Sequence, residues 1–169
     1  MLSEPLPVGS WYAVLTRSRH ERKVHDQLQQ KGLEAFLPTT FRWSKWRDRR
    51  KRIDWPLFPG YCFVRLFGGS LLPVLSCAGV SQIVSVSGHP ASIPDHEIEA
   101  IRRLMETTMQ FDTWPFLAEG ALVQVTRGPL TGVRGRFIRR GTESRLVLAV
   151  EMLGRAVSVQ IDGSDVERV

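Results

Sequence analysis

Apolar and polar residues change period several times along this chain, and each change marks an element. Residues 11–16, WYAVLT, form a short continuous apolar run, as expected of a strand buried on both faces. The next stretch, RSRHERKVHDQLQQKG, is polar apart from Val24 and Leu28, four residues apart. That spacing predicts an amphipathic helix, and Gly32 after Lys31 supplies its stop. Residues 33–41, LEAFLPTTF, read as a second strand, ended or bent near Pro38, and a basic loop follows. In LFPGYCFVRLF, Pro59-Gly60 marks a turn just before a strand. Residues 80–86, VSQIVSV, predict another short strand. After Pro94-Asp95, residues Ile98, Ile101, Leu104 and Met105 make one apolar stripe at helical spacing, with acids in the first turn and Arg102 and Arg103 later.

From Glu106 to Leu117 no period is visible, and Trp114-Pro115 interrupts the stretch, which reads as a linker. Beyond it, alternation returns at Leu122, Val123 and Val125, at Leu146 to Val150, and at Val157, Val159 and Ile161. Gly120, Gly128, Gly132 and Gly135, with Pro129, argue against a helix there and for tightly turned strands. The expected fold class is α+β. An N-terminal α/β sandwich, an antiparallel-rich sheet flanked by helices, occupies residues 8–106. A linker covers 107–117, and a five-stranded β-barrel covers 118–169.

Composition narrows the function classes. Of 169 residues, 43% are hydrophobic, enough for packed cores. No apolar run approaches the roughly 20 residues that span a bilayer. MLSEPLPVGS lacks a basic region followed by an apolar one, so no membrane partner or secretory signal is expected. Cys62 and Cys77 sit in apolar segments without ligand spacing, which predicts reduced, buried thiols in a cytoplasmic protein, with no metal and no cofactor. The four histidines are scattered and the acids mostly single, so catalytic machinery is not expected.

Charge is more telling. The net charge is +6, but residues 17–52 carry twelve Lys and Arg against four acids, a local +8 that leaves −2 for the remainder. One basic region on a nearly neutral background is the electrostatic footprint of a polyanion partner, although a merely solvated loop gives the same composition.

The order of motifs is distinctive. WY near the start, a basic helix, a basic loop, FPGY, and GV before the last strand resemble the NGN domain of the NusG family of bacterial transcription elongation factors. GALVQVTRGPLTGVRGRF, followed by LGRAVSVQID, resembles that family's SH3-like KOW domain. The basic loop, GLEAFLPT and LFPGYCFV are more similar to a specialised RfaH- or UpxY-like paralog than to a housekeeping NusG. The branch's His-Thr-Thr motif is absent. Ser70, Leu71, Leu72 and Pro73 occupy that segment, so contact with the polymerase β gate loop does not carry over as hydrogen bonds.

The resemblance implies a monomeric antitermination factor that binds the β′ clamp helices of RNA polymerase and suppresses pausing or termination. The matching polymerase-facing residues are Leu15, Phe58, Tyr61, Phe63, Ile83 and Val86. Aromatic anchors suit an interface, but the same residues suit a core. The resemblance sets Arg17, Arg19, His20, Arg22, Lys23 and Lys31 against non-template DNA. His20 is equally readable as a surface histidine without a role. Arg42, Trp43, Lys45, Trp46, Arg47, Arg49 and Arg50 lie in a run that also includes Lys51 and Arg52, where cations interleave with aromatics. That composition suits phosphate neutralisation plus stacking on unpaired bases of DNA or nascent RNA. Met152, Leu153 and Arg155 match the KOW loop that meets a small-subunit ribosomal protein or Rho, with Leu153 where the family usually has Phe. The competing reading is a KOW-type ribosomal or RNA-binding protein, kept open by Arg127, Arg134, Arg136, Arg139 and Arg140.

Overall fold

The computed structural model describes residues 9–115 and 119–169, except the side chains of Arg42 and Trp46. Residues 8 and 116–118, at expected domain and linker edges, lie outside the described residues, as do those two side chains. By contact density the chain divides into two units, residues 1–93 and 94–169.

The first unit is built on β1 (Ser10–Thr16), the apolar run, which is buried along nearly its whole length. α1 (Glu21–Gln30) follows and buries Val24 and Leu28, as the four-residue spacing predicts. The helix closes in a Schellman motif: the Leu33 N–H donates to the Leu28 carbonyl at 3.0 Å and the Gly32 N–H to Gln29 at 2.9 Å. β2 is short (Glu34–Phe36). The basic stretch, a loop by its own residues and a β-hairpin by the family resemblance, is a hairpin of β3 (Thr39–Trp46) and β4 (Arg49–Pro56), paired over eight rungs from Thr39↔Pro56 to Trp46↔Arg49. β5 (Tyr61–Leu66) returns to the main sheet, and α2 (Leu72–Leu75) is a single turn. β6 (Val80–Ile83) follows, then β7 (Ser85–Val86), β8 (His89–Pro90) and β9 (Ser92–Ile93).

The main sheet runs β2-β5-β1-β6, with β9 also pairing β1, and every pairing is antiparallel. One face packs against α1: Tyr12, Val14, Val24, Leu28, Cys62, Val64, Leu66, Val74, Cys77 and Ile83 form a continuous core. Cys62 and Cys77 are free thiols inside it, and burial pushes the Cys62 thiol up to about 12. The opposite face carries Trp11, Phe36, Phe58 and Phe63 with ring centroids 6.1–6.5 Å apart in successive pairs.

The second unit begins with α3 (Asp95–Met105), whose stripe buries Ile98, Ile101 and Leu104. The expected linker then contains a strand, β10 (Phe111–Pro115). β11 (Ala121–Val125), β12 (Arg134–Arg140), β13 (Glu143–Val150), β14 (Arg155–Gln160) and β15 (Val166–Arg168) supply the five strands that alternation predicts. The sheet order is β10-β14-β13-β12-β11-β15, so six strands stand where five were expected. Gly135 shows why glycine is needed in this sheet. A Cβ there would lie 2.7 Å from the Val147 carbonyl oxygen, closer than van der Waals contact permits. The fold is therefore α+β, with a strand-rich C-terminal sheet of the KOW kind. By contacts α3 groups with that sheet rather than with the N-terminal residues 8–106 to which sequence assigns it.

Candidate nucleic-acid interface and protein-binding surfaces

The β3–β4 ribbon belongs to no larger sheet, so both its faces are available for side chains. Arg47 and Asp48 form its two-residue turn, with Arg47 at φ +52°, a left-handed conformation that tight hairpin turns need. Cross-strand register places Phe41, Trp43 and Lys45 opposite Asp54, Arg52 and Arg50 on one face. Phe41 and Trp43 meet edge to face at 6.3 Å, and the Arg52 guanidinium lies 4.3 Å from the Phe41 centroid. Trp43 is nonetheless 63% exposed, a large apolar side chain left to solvent among cations. Lys45, Arg47, Arg49 and Arg50 are exposed as well. Phe41, absent from the sequence-predicted set, is part of this face. Its signal was readable: it lies two residues before Trp43, on the same side of any strand.

At the start of α1, Arg17, Arg19, Arg22 and Lys23 are exposed. Arg19 adopts φ +62°, in the left-handed region, in the turn closed by His20 N–H donating to the Arg17 carbonyl at 3.0 Å. His20 is held more firmly than a free surface residue. Its Nδ1 lies 2.8 Å from the Ser18 carbonyl oxygen, and a Cβ on Gly79 would come within 2.8 Å of its own Cβ. The ring therefore wedges α1 against the Gly79 backbone. Lys31 is also engaged: its ammonium donates to the Pro73 carbonyl at 2.7 Å and Ser76 Oγ at 2.8 Å, tying α1 to α2.

Two residues that organise this region were not singled out from sequence. The buried Glu21 carboxylate accepts from the Gly60 N–H at 2.9 Å and so fixes the Pro59-Gly60 turn. Gln27 clamps the Ala78 peptide through both amide atoms, each at 2.9 Å. Neither lies in a motif with chemistry of its own.

The six sequence-predicted polymerase-facing residues do not form one open surface. Tyr61 and Phe63 share a face with Leu15, as alternation requires. Phe58, Phe63 and Ile83, however, are buried, Leu15 and Tyr61 half-buried, and only Val86 is well exposed, at 60%. Phe63 is buried because it packs against Phe36 and Phe58. In the C-terminal sheet, Met152 and Leu153 lie half-buried in a 3-10 turn and Arg155 opens β14 exposed.

One buried acid stands apart. Glu97 on α3 is 8% exposed, with Oε2 lacking a hydrogen-bond partner. Burial first, and the Glu151 charge second, push its carboxyl up to about 7. Among the described residues no cluster of His, Cys, Asp or Glu could hold a metal ion, and no helix is long and apolar enough to cross a membrane.

Comparison with known proteins decides the family. The family model described as "Transcription termination factor nusG" matches residues 9–102. This chain is a member of the NusG family. The transcription termination/antitermination protein NusG of Yersinia pestis is 30% identical over 177 residues, covering 96% of this chain and 97% of that protein. NusG of Escherichia coli K12 matches at the same identity and coverage. A solved structure titled "Domain interaction in Thermotoga maritima NusG" superposes with TM-score 0.53 at 26% identity, covering 95% and 97% of the two chains. The NusG match includes α3, so sequence kinship and contact density draw the domain boundary at different places. The relatives are transcription termination/antitermination proteins, and that general role extends to this chain.

Proposed function

We propose that this NusG-family chain is an elongation and antitermination factor of the specialised RfaH- or UpxY-like kind. It rides on RNA polymerase and holds single-stranded nucleic acid with the β3–β4 ribbon. The observation that carries the reading is the ribbon face itself: exposed Trp43 beside Phe41, set among Lys45, Arg50 and Arg52. Cations neutralise phosphates without regard to sequence, and the indole offers a stacking surface to any unpaired base. Arg17, Arg19, Arg22 and Lys23 extend the same positive surface toward α1. His20 and Lys31 serve it indirectly, by fixing the helix.

The polymerase contact is assigned to the sheet face that carries Leu15 and Tyr61, with Val86 beyond it and the buried Phe58 and Phe63 as its support, while Ile83 lies on the opposite face, in the core against α1. The partner there is the β′ clamp helices. The gate-loop side would meet the exposed Leu72 and Leu75 rather than hydroxyl groups. Met152, Leu153 and Arg155 are assigned to a small-subunit ribosomal protein or Rho, with Leu153 a smaller anchor than Phe. No bond is made or broken in this scheme. A factor that binds the elongating polymerase better than the paused one shifts the population toward elongation.

The test is binding of the purified chain to polymerase elongation complexes that expose a non-template strand. Tyr61→Ala should weaken binding at least tenfold on any template. A Trp43→Ala, Arg50→Ala, Arg52→Ala variant should keep the polymerase contact and lose protection of the exposed strand. Undiminished activity of both variants, or binding to ribosomal RNA with none to polymerase, would sink the reading in favour of a ribosomal KOW protein.

A further inference from the structure

The stretch that sequence presents as a linker is held to the C-terminal sheet in a particular way. β10 pairs with β14 through five rungs, from Phe111↔Val159 to Pro115↔Arg155. β14 is buried on both faces: Val157 and Val159 on one, Ala156 and Ser158 on the other. On the second face Ile138, Val147 and Ala156 form a small cluster, with Ala149 and Trp114 packed on it. The two alanines leave a shallow shelf, and the Trp114 indole lies in it. The Arg140 guanidinium sits 4.8 Å from the Trp114 ring centroid and the Arg145 guanidinium 5.7 Å away. Two residues upstream, on the same face of the strand, the Asp112 carboxylate accepts from Arg145 Nη2 at 2.5 Å. Arg145 is aimed by Ser158, whose Oγ accepts from its Nε at 2.8 Å.

The β14 edge that β10 occupies, an aromatic slot and a guanidinium for an acid two residues earlier together read an extended peptide. The resident strand is an imperfect occupant. Trp114 Nε1 is buried without a hydrogen-bond partner, and Pro115 has no N–H to give its rung.

We infer that the β14 edge and its shelf are a docking site for an extended protein segment of acidic-x-aromatic pattern, which adds as a strand in place of residues 111–115. The charge of the site selects the acid, and the shelf selects the ring. Phe at the ring position would leave no unmet N–H. Asp112-Thr113-Trp114 is the internal stand-in, which keeps a bare edge from pairing indiscriminately when no partner is present.

The experiment uses the full chain and a fluorescein-labelled peptide with the sequence of residues 109–115, read by fluorescence anisotropy. A second peptide carries phenylalanine in place of the tryptophan. Wild type should bind either peptide weakly, because its own strand competes. Trp114→Ala should bind at least tenfold more tightly, and Asp112→Lys, which keeps the ring but loses the ion pair, should fall between. Peptides lacking the acid or the ring should lose most of the gain. Equal affinity of Trp114→Ala and wild type would overturn the inference. So would loss of the sheet's circular dichroism in Trp114→Ala, since the strand would then be integral structure. Displacement of bound peptide by a single-stranded oligonucleotide of higher affinity would overturn it too, by making the shelf a base-stacking site.

Discussion

Glu97 shows how much one residue can set. Its carboxyl titrates near 7 in the folded chain, raised by burial from the ordinary 4.5. Between those values the folded state holds the proton more tightly than the unfolded state does. Stability should therefore fall as pH rises through this window and level off above it. Glu97→Gln removes the penalty: it should raise stability at pH 8 by ~1–3 kcal/mol and leave it nearly unchanged at pH 4, measured by urea unfolding at both. A wild-type stability that rises between pH 5 and 7, with no gain at pH 8 from the variant, would exclude this origin. Gly135 makes a second case. Gly135→Ala forces a Cβ to 2.7 Å from the Val147 oxygen, with the Leu146 and Leu148 side chains also within 2.9 Å. The strands must part, so the C-terminal sheet should lose about 2–4 kcal/mol, visible as an earlier thermal transition. The glycines were legible in sequence as turn and strand markers. That Gly135 is required by a neighbouring carbonyl was not, because the clash is with residues twelve or so positions away.

At the level of elements, hydrophobic period located β1, α1, β2, β5, β6, α3, β11, β13 and β14, while the very short α2, β8 and β9 carry too few residues to show one. It failed where another force overrode it. From its own residues the β3–β4 run looked like a loop, and the family resemblance alone implied a hairpin, because charge crowds β4 and a ribbon exposed on both faces has no buried side to impose alternation. β10 went unread because Phe111 to Pro115 has one ring on each face and ends in proline, so no stripe exists to count. The burial of Phe58, Phe63 and Ile83 was hidden for a different reason: alternation says which residues share a face but not which face meets solvent. Trp43 can be tested at this scale. Trp43→Ala should weaken binding of single-stranded DNA by about five- to 150-fold, in keeping with ~1–3 kcal/mol for one stacked base, while circular dichroism stays unchanged. Unaltered affinity would reassign the indole to a protein contact.

For the whole molecule, the decisive quantity is where its charge lies. Residues 17–52 hold a local +8 and the rest sums to −2, so nucleic-acid affinity should reside in the first unit and depend steeply on salt. If Arg50, Lys51 and Arg52 each meet a phosphate of single-stranded DNA, replacing all three by alanine should flatten the log–log salt dependence by about 2, at ~0.7 per contact. A slope that does not move would place the phosphate contacts on α1 instead. The same distribution explains why the family could be read from sequence before any geometry: charge, motif order and glycine placement are linear properties. Partner surfaces are not, since they depend on which faces the folded units leave open.

Among the described residues the β3–β4 ribbon pairs as a sheet with nothing but itself, and at its base the Leu57 N–H donates to the Pro38 carbonyl at 2.8 Å. Eight rungs at ~3.3 Å each extend its tip by ~25 Å. Rungs can be removed in pairs without changing the facing of those that remain, and none of the core depends on their number. Reach is therefore separable from stability in this molecule. A shortened ribbon would be a calibrated probe, each pair of deleted rungs withdrawing the aromatic face by ~7 Å and reporting how far away the strand it touches lies.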